Sequence, residues 1–501
     1  MLEPKRHILV TGATGSVGSL LALNALRSGH SVRLLVRRKH HRSSLDRVRD
    51  VFGLFGFSEE EWRRRASDID IYEGDIAFPQ CGLSKKERHR LGHGLSGIFH
   101  AAAYLGFEED QRAKSMLVNV DGTRNVLEFA QSSGAHLFYI STAYVVGRSK
   151  GIVFERELND PMPWRNPYEE TKFLAEREVH LTCRKENLPY TVYRPAILMG
   201  DWSHGCTLKF RNVYYFMKLF HQLSKRKRKT PFLLKGNVKG KINLLPVDFA
   251  VQAMWNLSQA PGCDGGVYHI TNPSPPTLQH LISLAAKILG LDIEIEDPLR
   301  PETQSRKVEI PPSLYAAYLH GNIEFDLTNT RSVLHDYDAS FPLMDEHYYR
   351  RILSYAIEQD WGARVMSRAS NHPEKSTAQF VEKYFEEFLA TRLNLPSQKR
   401  LKNLTGTFLI QIQDETASDW VLELREGMLT SISHDPAGIE WRFLTDADTF
   451  KKIVKGLYPP EQAFFDGRVN IEGNMEKALQ ASATLCEFLK NFPYEEKLLT
   501  T

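Results

Sequence analysis

A short apolar run, His7-Ile8-Leu9-Val10, ends in a glycine-rich turn. Apolar residues then recur at helical spacing from Val17 to Arg27 (Leu20, Leu21, Leu23, Leu26) until Ser28-Gly29 stops them, and a second run spans Ser31 to Val36. Strand, turn, helix and strand within about 30 residues form a βαβ unit. The alternation continues, with strands expected at Ile69–Tyr72, Gly97–His100, His136–Ile140 and Tyr190–Tyr193 and helices at Asn119–Gln131 and Tyr168–Lys185. Parallel strands need crossover connections, so this rhythm predicts an α/β fold, a doubly wound parallel sheet with helices on both faces.

After Gly200 the rhythm breaks. Residues 201–240 are aromatic and basic and 273–345 are rich in Pro and short elements, with a strand-like return to the main sheet at Lys241–Pro246 and a helix from Asp248. Segments inserted at the carboxyl side of such a sheet usually build a substrate pocket. A polar stretch at 366–377 reads as a linker. Beyond it come a helix (Ala378–Leu393) and two-residue alternation, with Phe408, Ile410 and Ile412 on one strand and Trp420, Leu422 and Leu424 on the next. A turn at Arg425-Glu426-Gly427 and helices at Asp448–Val454, Pro460–Phe465 and Met475–Leu489 complete a smaller α+β domain. The expected division is 1–365, linker 366–377, and 378–492.

Composition narrows the classes. Of 501 residues, 42% are hydrophobic and 25% charged, which excludes a mostly disordered chain. Sixty-four Lys plus Arg against 61 Asp plus Glu leave +3, too little for a general nucleic-acid binder. Five scattered cysteines, with no Cys-x-x-Cys pair, predict reduced thiols and no zinc site. No apolar run is long enough to span a membrane and the opening MLEPKRHILV is no secretory leader, so the expected location is cytoplasmic, with peripheral membrane contact left open.

The turn after the first strand reads Thr11-Gly12-Ala13-Thr14-Gly15-Ser16-Val17-Gly18. Gly12 permits the tight turn, Gly15 lets backbone approach a pyrophosphate, Gly18 lets helix and strand pack, and the helix N-terminus supplies donors. Thr14, Ser16 and Val17 belong to the same dinucleotide cradle. Val36 is followed by Arg37-Arg38-Lys39 with no acidic residue for a ribose 2′-hydroxyl, which favours a 2′-phosphate and hence NADP(H) over NAD. Tyr168 and Lys172 stand at i and i+4 on one helical face, where a cation can strengthen a phenol as an acid. Upstream, Tyr139-Ile140-Ser141-Thr142-Ala143-Tyr144 ends a strand in hydroxyls.

Together these residues resemble the extended short-chain dehydrogenase/reductase family over roughly 6–345. Further matching stations are Gly74-Asp75-Ile76, His100-Ala101-Ala102-Ala103, Asn119 with Asp121-Gly122-Thr123, and Arg194-Pro195-Ala196-Ile197. The resemblance implies that Asp75 and Ile76 contact the adenine and that Ala101, Ala102 and Ala103 lie behind the nicotinamide ribose. It also implies that Asn119 is structural and that Pro195 and Ile197 close over the nicotinamide. Tyr168 would be the proton donor, Lys172 would bind the ribose and tune Tyr168, and Thr142 would be the catalytic hydroxyl, with Ser141 the phase-shifted alternative. The spacing of Tyr72-Glu73-Gly74-Asp75-Ile76 and Gly82-Leu83-Ser84, with Asn166-Pro167-Tyr168 and Phe325-Asp326, is most similar to the fatty acyl-CoA and carrier-bound thioester reductase branch.

That resemblance implies NADPH-dependent reduction of an acyl thioester to an aldehyde or alcohol. A dehydrogenase of a sterol-like or other lipid alcohol or ketone would use the same residues, and a non-catalytic lipid-transfer protein is the third alternative. The helix pattern 211–220 and the basic run Lys225–Lys229 suggest an acyl-pocket wall beside a docking site for coenzyme A, an acyl carrier protein or an anionic lipid surface; a core-facing helix with a solvated loop is the plainer reading. From Gly406-Thr407-Phe408 to Phe464-Phe465-Asp466-Gly467 and Ile471-Glu472-Gly473-Asn474, the second domain is similar to the sterol carrier protein type 2 family, which implies a lipid site and no catalytic residues.

Overall fold

The computed structural model describes residues 6–39, 42–107, 109–158, 163–210, 213–225, 232–235, 238–296, 308–310, 323–362, 380–393, 405–412, 418–455, 458, 460–465, 468–473, 477–478, 481 and 494. Of the sequence expectations, Arg226–Lys229, the linker 366–377, Cys486 and most of Met475–Leu489 lie outside them. Internal contacts divide the chain into two units: residues 1–208, 237–282 and 317–355 form one, and 209–236, 283–316 and 356–501 the other. Much of the two expected substrate segments thus packs with the C-terminal residues.

The first unit is built on seven strands: β1 (His7–Thr11), β2 (Ser31–Val36), β3 (Ile69–Glu73), β4 (Leu95–His100), β5 (His136–Ile140), β6 (Tyr190–Pro195) and β7 (Val267–Ile270). They pair in parallel in the order β7-β6-β5-β4-β1-β2-β3. Strands β2, β6 and β7 are buried along their whole length, as a sheet covered on both faces requires. The order reverses at β1, so the crevice beyond the ends of β1 and β4 is the position where such sheets bind ligands.

The helices have local causes. α1 (Ser16–Arg27) buries Leu20, Leu21, Leu23 and Leu26, and it starts at Gly15 with no side-chain cap, which leaves its first N–H groups available. α2 (Ser44–Leu54) is capped by the Ser43 side chain. The helix expected from Asn119 opens as a π-helical segment, Met116–Asp121, and continues as α3 (Gly122–Ser133), which Gly134 ends at φ +65°. α4 (Pro167–Lys185) has Pro167 in its first turn, and the Asn166 side chain accepts from the Glu169 N–H.

The return expected at Lys241–Pro246 differs. The strand is Leu244–Pro246, and it pairs in parallel with Ile197–Met199 outside the main sheet. β6 ends at Pro195, which has no N–H for a ladder, and the main-sheet position beyond it is filled by the four-residue β7, too short for its pattern to stand out.

In the second unit, α5 (Val213–Ser224) is buried on almost every side through Tyr214, Phe216, Met217, Leu219, Phe220 and Leu223. A helical stretch then runs from 380 to 392. The five-stranded sheet comprises β8 (Gly406–Ile412), β9 (Ser418–Arg425), β10 (Met428–Ser433), β11 (Ile439–Thr445) and β12 (Val469–Gly473), ordered β10-β9-β8-β11-β12 with β8–β11 the parallel pair. α6 (Ala447–Val454) and α7 (Pro460–Phe465) lie between its last two strands in the chain. Lys218 of α5, itself buried, donates to the Phe464 carbonyl of α7 at 3.0 Å and lies 5.1 Å from that ring's centroid.

Among the described residues no helix is long and apolar enough to cross a membrane, and no three His, Cys, Asp or Glu side chains are grouped to hold a metal. Cys81, Cys183 and Cys263 are buried free thiols, and Cys206 is buried as well.

Candidate active site

The glycine turn has the geometry its pattern demands. Gly12 sits at φ +74°, and a Cβ there would meet the Ala102 nitrogen at 2.7 Å. A Cβ on Gly18 would strike the Gly12 carbonyl at 2.4 Å, whereas one on Gly15 would meet only that carbonyl, at 3.3 Å. The turn is therefore pressed against Ala101-Ala102 on one side and open at Gly15, with the uncapped α1 N-terminus behind it. That cradle fits a pyrophosphate.

Beside it stands a group of cations. Arg47 of α2 donates to the Arg37 carbonyl at 2.5 Å and to the Thr14 hydroxyl at 3.3 Å. Partial burial, and then the guanidiniums of Arg37 and Arg42, lower the Arg47 pKa; burial, then Arg47 and Arg37, lower that of Lys39. Arg38 lies 3.8 Å from Glu73, and Arg42 pairs with Asp50. Like charges crowded next to a phosphate cradle favour an anion among them. Arg47 was not legible in the sequence, because it reaches the turn from a helix 33 residues farther on.

The other expected cofactor residues follow the carboxyl ends of the strands. Asp75 accepts from the Ala77 N–H at 3.0 Å, and buried Ile76 packs on Gly122. Ala101, Ala102 and Ala103 follow β4, and Pro195 and Ile197 stand at and just beyond the end of β6. Asn119 clamps the loop after β4 from both sides: its amide oxygen accepts from the Tyr104 N–H at 2.7 Å, and its amide nitrogen donates to the Tyr104 carbonyl at 3.0 Å and to Thr171 at 2.9 Å. The π-helical segment turns Asn119 inward for this role.

Tyr168 lies in the first turn of α4, half-buried, with the Phe107 ring edge-on at 5.6 Å. Burial, and secondarily the Glu169 carboxylate, raise its pKa above the usual phenol value, so the hydroxyl stays protonated at neutral pH. Lys172, one turn on and buried, donates from Nζ to the Tyr139 hydroxyl and to the Ile140 carbonyl, both at 2.7 Å. Burial lowers its pKa to about 7, and Glu176 pulls the other way. In this geometry Lys172 is held from β5 rather than by Tyr168.

The two hydroxyls that end β5 differ in what they touch. Ser141 donates to Glu176 at 2.5 Å, and Glu176 in turn is paired with the guanidinium of Arg194, which is fully buried. Thr142 accepts from the Tyr144 N–H at 3.3 Å and reaches the Pro195 carbonyl at 3.5 Å, beside the expected nicotinamide residues. Ser141 is thus engaged by a buried ion pair, whereas the Thr142 hydroxyl meets backbone groups. A surface cleft of about 700 Å³ opens instead at the start of β6, lined by Arg184, Glu157, Tyr190 and Asp264, and none of the residues above lines it.

Residues 10–254 match the male sterility protein family of NAD-binding domains, and residues 385–485 match the SCP-2 sterol transfer family. The chain joins a male sterility-type NAD-binding domain to an SCP-2 domain. The glycine turn, Tyr168 and Lys172 all lie within the first matched segment. The fatty acyl-CoA reductase wat of Drosophila melanogaster is 24% identical over 294 residues, covering 52% of this chain and 56% of its own length. A linear gramicidin synthase of Brevibacillus parabrevis is 24% identical over 367 residues, 69% of this chain and 7% of its own. The chain therefore spans little more than half of the one relative and a small part of the other. Among solved structures, the terminal R domain of the myxalamid PKS-NRPS pathway superposes with a TM-score of 0.60 at 23% identity, covering 72% of this chain and 92% of that one, a likeness of fold. The SCP-2 domain brings an apolar interior: Trp420 stacks on Phe385 at 4.6 Å, Phe385 on Phe450 at 5.2 Å, and Phe408 on Trp441 at 5.2 Å.

Proposed function

We propose that the chain is an NADPH-dependent reductase of a fatty-acyl thioester, bound to coenzyme A or a carrier protein, yielding an aldehyde or alcohol. The observation that carries the reading is buried Lys172 one helical turn after a protonated Tyr168 and bonded to the strand that Thr142 follows, in a fold whose relatives include a fatty acyl-CoA reductase. The preference for NADPH rests on Arg37, Arg38, Lys39 and Arg47 around the end of β2.

A bound reduced nicotinamide would supply the hydride. Thr142 and Tyr168 hold the substrate carbonyl by two hydrogen bonds, which strengthen as charge grows on its oxygen. Tyr168 then gives its proton to that oxygen, because burial keeps the phenol protonated and an alkoxide is the stronger base. Lys172 binds the ribose hydroxyls and restores the proton. Loss of the thiolate with a proton leaves aldehyde and free thiol, and a second reduction at the same residues gives the alcohol. Gly12, Thr14, Gly15, Ser16, Val17 and Gly18 hold the pyrophosphate and Asp75 and Ile76 the adenine; Ala101, Ala102 and Ala103 lie behind the nicotinamide ribose, Asn119 fixes the loop beside it, and Pro195 and Ile197 close over the nicotinamide. The SCP-2 domain holds the acyl chain or another lipid, and Lys225–Lys229 serves as a docking site for the phosphate of coenzyme A, an acyl carrier protein or a lipid surface. The setting is the cytoplasm.

The SCP-2 match supports one second reading, a dehydrogenase of a sterol-like lipid alcohol or ketone. NADPH oxidation measured against acyl-CoA, carrier thioesters and keto-lipids separates the two. Turnover of thioesters with thiol release is expected, and turnover of ketones alone would replace the first reading with the second.

A further inference from the structure

Behind the site runs a buried chain of polar groups whose proton directions can be assigned. The Thr123 hydroxyl donates to the Asn119 carbonyl at 2.6 Å, so its oxygen must accept from His100 Nε2 at 3.1 Å. Burial lowers the His100 pKa to about 3, so the ring is neutral, and with its proton on Nε2 its Nδ1 is an acceptor. The Thr11 hydroxyl donates to Nδ1 at 2.8 Å and accepts from the Ala102 N–H at 3.2 Å. At the other end, the Tyr139 hydroxyl accepts from Lys172 Nζ at 2.7 Å, and Nζ lies 4.1 Å from the Tyr139 ring centroid. The phenol's remaining hydrogen-bonding neighbour is Thr123. Tyr139 and His100 are both almost wholly buried.

We propose that Tyr139 is a positioning residue for Lys172: its phenol holds the amine in place and connects it, through Thr123 and His100, to the turn after β1. The inference rests on the reading of Tyr168 and Lys172 as the reacting pair. An apolar aromatic ring would fill the same space in β5, so the hydroxyl is the informative part of this residue. It supplies one of the two acceptors that hold the Lys172 amine, the Ile140 carbonyl being the other. The charged or titratable groups facing the amine are Glu176 from its own helix, His100 from β4 and Tyr139 from β5; Tyr168 faces the Tyr139 phenol, and Glu176 is already committed to Arg194 of β6.

The sign of the effect follows from the direction of that hydrogen bond. The phenol oxygen accepts a hydrogen bond from the ammonium and so favours the charged form; without it, Lys172 deprotonates at lower pH. In Tyr139→Phe, the basic limb of kcat against pH with hexadecanoyl-CoA should move down by about one pH unit, with kcat at pH 8 falling about 10-fold. In the same preparation, without acyl substrate, the pH midpoint of NADPH binding followed by nicotinamide fluorescence should move in the same direction. Thr123→Val, which removes the phenol's other neighbour and leaves Tyr139 in place, should move both by a smaller amount. It carries the test alone if Tyr139→Phe does not fold. An unmoved limb and an unmoved binding midpoint, whether kcat is unchanged or lowered equally at every pH, would overturn the inference. Tyr168→Phe separates the two levels: retained turnover there defeats the reacting pair, while the NADPH-binding midpoint in Tyr139→Phe still decides the role of Tyr139.

Discussion

The two sheets of this chain bury different things. At the carboxyl edge of the seven-stranded parallel sheet, Thr11, His100, Asn119, Thr123, Ser141, Lys172, Glu176 and Arg194 are all buried, and each has a partner in a hydrogen bond or ion pair. In the unit that holds the five-stranded sheet, the interior is Phe385, Trp420, Phe450, Phe408 and Trp441 in stacked pairs, and Lys218, Thr445 and Thr449 are the buried polar residues among those described there. Burying polar groups is costly unless each is satisfied, so a sheet that accepts that cost is organised for chemistry. A sheet filled with aromatic rings is organised for packing or for an apolar guest.

This contrast between the sheets can be broken at several points. The largest effect should come from Tyr168→Phe, which removes the proton donor and little volume: turnover should fall by about 1,000-fold or more, with NADPH affinity within about 2-fold of the parent. Retained turnover would mean that the polar edge is structural. Next, Glu176→Gln leaves the buried Arg194 guanidinium without its counter-charge and should cost about 3–5 kcal/mol, read as a loss of thermal stability. On the apolar side, Phe385→Ala should cost about 3–5 kcal/mol of the stability of its own unit, read by denaturant unfolding, since it sits between Trp420 and Phe450. A cost below about 1 kcal/mol would show that this interior is loosely filled.

A pH effect follows from the polar edge. Burial lowers His100 to about 3 and His269 to about 4, below the unfolded value near 6.5. Below about pH 6.5 the unfolded chain takes up protons that the folded chain refuses, so stability present at neutral pH is lost as the pH falls. Between about pH 6.5 and 5 the two residues together should cost on the order of 3 kcal/mol. Melting temperatures at the two values test this, and replacing His100 by Gln should reduce the slope. The smallest effect expected is that of Arg47→Ala, which should weaken NADPH by about 10-fold and NADH hardly at all. Equal losses would remove the 2′-phosphate argument.

Much of this was legible along the chain. The β/α rhythm up to Gly200 was readable because each apolar run is bounded by a turn, and Tyr168 with Lys172 because helical spacing puts i and i+4 on one face. β11 was not, although Ile439, Trp441 and Phe443 alternate after the turn residues Asp435-Pro436-Ala437-Gly438, because it pairs in parallel with β8 across an intervening hairpin rather than with its neighbour in the chain. Nor was the role of Tyr139 or Arg47: a tyrosine in a buried strand reads as an apolar ring, and an arginine on a helix as a solvated charge, until the fold brings each to its partner. The bond from Ser141 to Glu176 was likewise out of reach of the sequence, because only the tertiary structure sets the two together.

The central claim is that the polar edge reduces a thioester. It is tested most directly by following NADPH oxidation and free-thiol release together while the purified chain acts on hexadecanoyl-CoA. Thiol should appear in step with NADPH consumed, and both signals should be lost in Tyr168→Phe. NADPH consumption without thiol release, or thiol release that persists in Tyr168→Phe, would contradict it.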